Sequence, residues 1–302
     1  MTLKTTVNTA ARRGPSLAWR KLWQGGPDAK PLNALAVHAV LLGYTLLALA
    51  PILLVIMNSF KSRRAIFNDP LALPTVDSFS LVGYQRVLER SDFGLYFGNS
   101  ILVTVIPLFL VLLFGAMCAW ALAEYRFRGS RLLALYMAIG IMVPIRLGTV
   151  SILEIMVALN LVNTHMALIL VYTAQGLPLA IFILTEFMRQ IPRDLKEAAR
   201  CDGASEYRIF FQIALPLIRP AIATVAVFTM VPMWNDLWFP LILAPGEKTQ
   251  TIQLGVQQFI GQYATDWNAV LSALTLAVLP VLVLYVFFSQ QLIRGLTAGA
   301  VK

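Results

Sequence analysis

The chain has 302 residues, 58% of them hydrophobic and only 13% charged, where a soluble domain carries about 25% charged residues; its mean hydropathy is +0.73. So few charged groups cannot coat a water-facing globule, which excludes a soluble enzyme or binding domain and makes this an integral membrane protein. The net charge of +9, from 24 Lys and Arg against 15 Asp and Glu, is spread in short stretches between apolar runs. It therefore reads as membrane topology rather than as a nucleic-acid footprint, and no nucleic-acid partner is expected.

Residues 1–34 form a basic lead-in, read as a cytoplasmic N-terminal segment ahead of a membrane domain over 35–302. The first apolar run begins near Leu35 and exceeds 20 residues, too long for the apolar region of a cleaved signal, so it reads as a retained anchor. Six runs suffice to cross a bilayer as helices: 35–57, 99–122, 132–151, 166–187, 217–243 and 270–289. A shorter apolar stretch, 152–161, is placed at the membrane face. No alternating barrel-strand pattern occurs, and the fold class is all-α, a polytopic bundle of six transmembrane helices. Each run contains a proline, Pro51, Pro107, Pro144, Pro178, Pro232 and Pro280. This is either ordinary membrane composition or a set of kinks about which a bundle opens and closes.

Basic residues set the orientation. Segments 1–34, 123–131, 188–219 and 290–302 hold 17 Lys and Arg, whereas 58–98 and 244–269 hold 6, which puts both termini in the cytoplasm. The cluster Lys61-Ser62-Arg63-Arg64 runs against this assignment. Cys118, Cys201, His38 and His165 have no metal-ligand or disulfide spacing. No nucleophile–base pair supports an enzyme.

The loop 188–219 carries the most information. Pro192 suits a first helical turn, Asp194 its positive end, and good helix formers follow to Arg200. Gly203 turns the chain and Ser205 caps a second helix. There Tyr207, Phe210, Phe211 and Ala214 recur at i, i+3, i+4 and i+7 as one apolar stripe, and Pro216 ends the helix. Such a segment either lies in the headgroup layer or docks into a groove on a partner.

Glu197-Ala198-Ala199, three residues, Gly203, nine residues, Ile213, one residue, then Leu215-Pro216 resembles the EAA signature of the membrane subunits of binding-protein-dependent ABC importers, with every fixed position present. Trp234-Asn235-Asp236-Leu237-Trp238-Phe239-Pro240-Leu241 and the terminal Gly295-Leu296-Thr297-Ala298-Gly299-Ala300-Val301-Lys302 are similar to the carbohydrate branch, the maltose-transporter G-subunit type. The resemblance covers about residue 35 to the end. It implies a type I importer permease fold in a bacterial cytoplasmic (inner) membrane, paired with a second homologous permease subunit. It also implies two cytoplasmic ATPase subunits, an extracytoplasmic solute-binding protein and a carbohydrate substrate. The loop then becomes a coupling helix seated in an ATPase cleft, with Glu197, Ala198, Ala199, Arg200, Asp202, Gly203, Tyr207, Phe210, Phe211, Ile213, Leu215 and Pro216 as coupling residues. The outer loops 58–98 and 245–267 would receive the binding protein. No phosphate-cradling motif occurs in the chain, so no cofactor is expected on it, and ATP and Mg belong to the partner subunits.

Ionisable residues inside membrane runs are costly and mark function by default. Arg146, Glu154, Glu186 and Asp236 qualify. Glu186 reads as an interfacial partner of Arg189. Arg146 reads as a structural partner of Glu154 or Asp236, or as a substrate contact. A regular fifth helix would carry Asp236 into the outer bilayer, where Trp234, Asn235 and Trp238, with Tyr172 and Gln175 of the fourth run, offer the polar and flat aromatic surfaces that sugars bind. The opposing reading makes the tryptophans a membrane belt and Asn235-Asp236 a helix break. An anionic sugar derivative, with Arg146 central, is the alternative cargo. An ion-coupled transporter using Asp236 and Glu154 is the alternative class.

Overall fold

The computed structural model describes residues 31–90, 92–260 and 265–298. Most of the basic lead-in and the last four residues of the tail lie outside these. The chain divides into two compact units, 1–55 and 56–302. Within the first lies most of α1, Pro31–Ser59, an apolar helix about 44 Å long at 1.5 Å per residue.

In the second unit every described regular element is a helix, apart from two isolated β-bridges, Lys61 with Phe79 and Ile260 with Thr265. Two short helices come first, α2 (Arg63–Asn68) and α3 (Val82–Arg90). Lys61 is fully buried beside them and donates to the carbonyls of Asp69 and Pro70 at 2.9 and 3.3 Å. Burial pushes its ammonium below the usual lysine range, opposed in part by Asp69.

The central pair is α4 (Phe93–Glu124) against α7 (His165–Arg189). Between them lie α5 (Ser130–Met142), a 3-10 turn Ile145–Gly148 and α6 (Thr149–Ala158). After α7 come α8 (Arg193–Cys201), α9 (Glu206–Ile209), a π-helical stretch Phe210–Ala214 and a last turn Leu215–Leu217. Then follow α10 (Arg219–Trp234), α11 (Trp238–Leu243), α12 (Ile252–Gln257) and α13 (Trp267–Ala298).

Small residues let these helices approach, because lipid supplies no hydrophobic drive for helix association. A Cβ on Gly176 of α7 would stand 2.7 Å from a methyl of Val111 on α4 and 2.8 Å from that of Thr229 on α10. The three helices meet there. Around the crossing lie Val103, Val111, Leu168, Leu184 and Val225, all nearly or fully buried. Two buried hydroxyls bond back to their own helix, Thr185 to the Ile181 carbonyl and Thr229 to that of Val225, which satisfies their donors away from water.

The first, second, fourth and sixth expected spans are unbroken helices, each longer than the run that announced it. The third and fifth are not. The third breaks at Val143-Pro144, and Ser130–Met142 meets Ile145–Ala158 at 88°. Pro144 has no N–H to continue the ladder and forces Val143 into extended backbone. Residues 152–158 of the stretch expected at the membrane face thus belong to the second arm of this bent pair. The fifth, expected over 217–243, is split at 235–237 into α10 and α11, and at its start Ile218 forms a corner where Glu206–Leu217 meets Arg219–Trp234 at 74°. Pro216 sits in the first turn of Leu215–Leu217 instead of ending the helix, and the break comes before Pro220, which cannot donate backward. Of the six span prolines only Pro144 lies at a break; Pro51, Pro107, Pro178, Pro232 and Pro280 are inside helices.

Gly176→Leu should therefore overpack the three-helix crossing and destabilise the protein by about 1–3 kcal/mol. Thermal unfolding in detergent checks this, with Gly98→Leu, where a Cβ meets nothing within 4 Å, expected to melt like the parent.

Candidate functional site

Two polar clusters flank the bent pair of Glu206–Leu217 and α10, one at Glu206 and the other past Trp234. The first is built on the end of α4. Glu124 is the one acidic residue between Asp92 and Glu154, and it terminates a 32-residue helix. Lys196 and Arg200, one turn apart on α8, both reach it: Lys196 Nζ to Oε2 and Arg200 Nη2 to Oε1 at 2.6 Å. Arg200 Nε also donates to Glu206 Oε1 at 2.7 Å, and the Tyr125 hydroxyl to Glu206 Oε2 at 3.0 Å. Glu206 and then Glu124 hold the Arg200 guanidinium still more firmly protonated than usual. Beneath these charges Lys196 lies 5.6 Å over the Trp120 ring, which packs on Phe210 at 5.9 Å.

The signature glycine has a geometric reason. Gly203 has φ +77°. Its N–H donates to the Arg200 carbonyl, and that of Ala204 to the Ala199 carbonyl, both at 3.0 Å. This is the Schellman closure of a helix, and its left-handed residue strains any side chain with a Cβ. Ser205 then caps α9 by accepting from the Arg208 N–H at 3.3 Å. Pro192 stands one position earlier than expected, at the N-cap of α8.

The expected apolar stripe divides. Phe210 is 5% exposed and Ala214 fully buried, whereas Tyr207 is 77% and Phe211 51% exposed. A π-helix bonds i to i+5 and has more residues per turn than an α-helix, so the i, i+3, i+4 spacing no longer keeps these side chains on one face. Phe210, Ile213, Ala214 and Leu215 pack on the core with Ala199. Tyr207 and Phe211, with Glu197, Ala198 and Asp202, face outward. Arg200 is committed inside the chain rather than held out for a partner.

The second cluster surrounds Asp236, which lies beyond the end of α10, in the break before α11, not within a regular span. Its carboxylate accepts from the Tyr172 hydroxyl at 2.9 Å and from the N–H groups of Trp238 and Phe239 at 3.3 and 3.1 Å. Arg146 pairs with it at 3.5 Å and lies 5.9 Å over the Trp238 ring. The two partners differ in access: the side chain of Arg146 is 66% exposed and that of Asp236 only 9%. Trp238 Nε1 donates to Thr149 Oγ1 at 3.0 Å, tying α11 to α6. Arg146 and Gln175 line a groove of about 1020 Å³ between α4, α5 and α7. Asn235 is exposed beside the break, its amide donating to the Val231 carbonyl. Trp234 does not join the cluster: it is buried against Phe97 and donates to the Ala277 carbonyl of α13 at 3.0 Å. Among the described residues no group of His, Cys, Asp and Glu could hold a metal ion.

Sequence reasoning missed Glu124, Lys196, Glu206, Tyr125 and Thr149. A signal existed for the first two, since two basic residues four apart on one helix face call for an acid, and Glu124 ends the preceding long run.

Residues 111–297 match the family described as the inner membrane component of binding-protein-dependent transport systems. The chain belongs to this family. The permease is 35% identical to a diacetylchitobiose uptake system permease of Streptomyces coelicolor, over 88% of each chain. It is 32% identical to an arabinooligosaccharide transport permease of Halalkalibacterium halodurans, over 85% of this chain and 92% of that one. Its fold matches a chain of a bacterial ABC transporter that imports the acidic polysaccharide alginate, with TM-score 0.73, 24% identity, and coverage of 84% and 95%. The type I importer permease fold is thereby shown.

Glu124→Ala should leave Lys196 buried without its counter-charge and cost about 3 kcal/mol, read as a lowered melting temperature in detergent. A Lys196→Met/Glu124→Leu double variant should recover most of that loss, because it removes both charges together.

Proposed function

We propose that this chain is a permease subunit of an ATP-driven importer that moves a carbohydrate, a sugar, oligosaccharide or glycoside, across a bacterial cytoplasmic membrane by alternating access. The observation that carries it is the corner of α8, α9 and the π-helical stretch. It is clamped from within by Glu124 and Glu206 and presents Tyr207 and Phe211 outward. Rigid aromatic anchors on a preorganised surface are what a docking element needs. In this reading two ATPase subunits bind there with their ATP and Mg, a second permease subunit completes the pathway, and a binding protein delivers cargo at the opposite end. Both termini then face the cytoplasm. The chain itself forms and breaks no covalent bond.

Carbohydrate as cargo is supported by the named substrates of the relatives. The exposed surface of the second cluster also suits it, since Trp238, Asn235 and Gln175 offer a flat ring and amides. The pairing of Arg146 with Asp236 favours a neutral glycan over a sugar phosphate, because that guanidinium already has its counter-charge. The same saturation argues against Asp236 as the ion site of a secondary transporter.

The test is uptake of labelled oligosaccharide by proteoliposomes holding the full complex and its binding protein. Uptake should require ATP hydrolysis; uptake that persists without it under a proton gradient would overturn the reading. Gly203→Val should insert normally, lose about 1–2 kcal/mol from the left-handed position, and uncouple ATP hydrolysis from uptake.

A further inference from the structure

Beside the docking corner lies a polar cavity of about 1100 Å³. Arg126, Arg131, Arg189 and Arg193 line it, together with Lys196 and Arg200; its acids are Glu124 and Glu197. Lys196 and Arg200 are spent on Glu124 and Glu206, and Arg189 pairs with Glu186 at 2.8 Å. Arg126, Arg131 and Arg193 make no ion pair among the described residues. Three guanidiniums thus face one cavity in which Glu197 is the one acid outside the ion pairs, an excess of positive charge, and each presents a planar fork suited to phosphate oxygens.

The position selects the kind of anion. Leu122 and Ala123 come from the last turn of α4, Ser130 and Arg131 from the first turn of α5, and Arg189 from the last residue of α7. Three membrane helices therefore end at this level, where phospholipid headgroups lie. Immediately along α5 from Arg131, Leu132 is 71% exposed and Leu133 47%, an apolar track running from the cavity toward the bilayer core. A basic pocket between helix ends with an apolar track leading from it has the form of an anionic-lipid site. Tyr207 and Phe211 do not line the cavity, whereas Glu197, which faces outward with them, does, so the cavity adjoins the proposed ATPase-docking surface along α8.

We infer that this cavity binds the phosphate headgroup of an anionic phospholipid through Arg126, Arg131 and Arg193, with the acyl chains lying along the exposed leucines of α5. The inference goes beyond the transport reading and does not depend on the cargo.

The test is native mass spectrometry of the full transporter complex titrated with phosphatidylglycerol and, separately, phosphatidylcholine. Phosphatidylglycerol should be retained in preference. Replacing each arginine by Gln should weaken its retention about fivefold, and the triple variant Arg126→Gln, Arg131→Gln, Arg193→Gln on the order of a hundredfold. Arg128→Gln, exposed on the same loop but not lining the cavity, should change nothing. If the triple variant does not assemble, the three single variants carry the test. Equal retention by parent and variants would overturn the inference. So would displacement by excess inorganic phosphate, which would make the cavity a free-anion site. Release of the ATPase subunits with lipid retention unchanged would also overturn it, by making the arginines a protein interface. ATP-dependent uptake in vesicles without anionic lipid is scored independently, so loss of this inference leaves the transport reading standing.

Discussion

A single carboxylate at the end of the longest central helix organises the end of the bundle that bears the corner of α8 and α9. Glu124 sits where a 32-residue apolar helix meets polar surroundings, and its two oxygens take one cation each from α8. An unpaired carboxylate at such a depth is costly, as is an unpaired lysine, so each charge is tolerable only with the other. That mutual requirement fixes the rotation of α8. With α8 fixed, the Schellman turn at Gly203 directs the chain into α9, and the π-helical stretch turns Phe210 inward while leaving Tyr207 and Phe211 outside.

The far end of α10 follows a different logic. There the chain is broken instead of clamped, and a carboxylate binds the backbone of the next helix. Asp236 holds the start of α11 through two N–H groups and draws in Tyr172 and Arg146. It is a scaffold for the surface that Arg146 and Trp238 present, and is itself withdrawn from that surface. The breaks at Pro144 and Ile218 make this possible, since straight third and fifth helices would keep Arg146 and the Asn235–Leu237 break from being placed as they are.

What could be read in the sequence depended on how local the cause was. Apolar runs report burial in lipid directly, so the long helices were legible, though their ends were not, because polar residues in the last turns reach past the apolar stretch. The turn at Gly203 and the cap at Ser205 depend on neighbouring atoms and were legible too. The stripe through Tyr207 and Phe211 was misjudged because periodicity assumes an α-helix, and nothing local announces a π-helical stretch. Trp234 was grouped with Asp236 because the two are near in sequence, whereas the helix points the indole at α13. The Glu124 clasp joins residues more than 70 positions apart, and no window of sequence displays it.

The 74° corner at Ile218 has a mechanical meaning. α10 is 16 residues long, a rod of about 24 Å, and Ile218 at its near end is buried and gives little room for bending. A displacement along the axis of the Glu206–Leu217 segment would therefore reach α10 mostly as a sideways swing, as in a bell crank. The far tip of that rod is the break that holds Asp236. The two clusters thus stand on the two arms of one bent lever whose corner is Ile218, between Pro216 and Pro220.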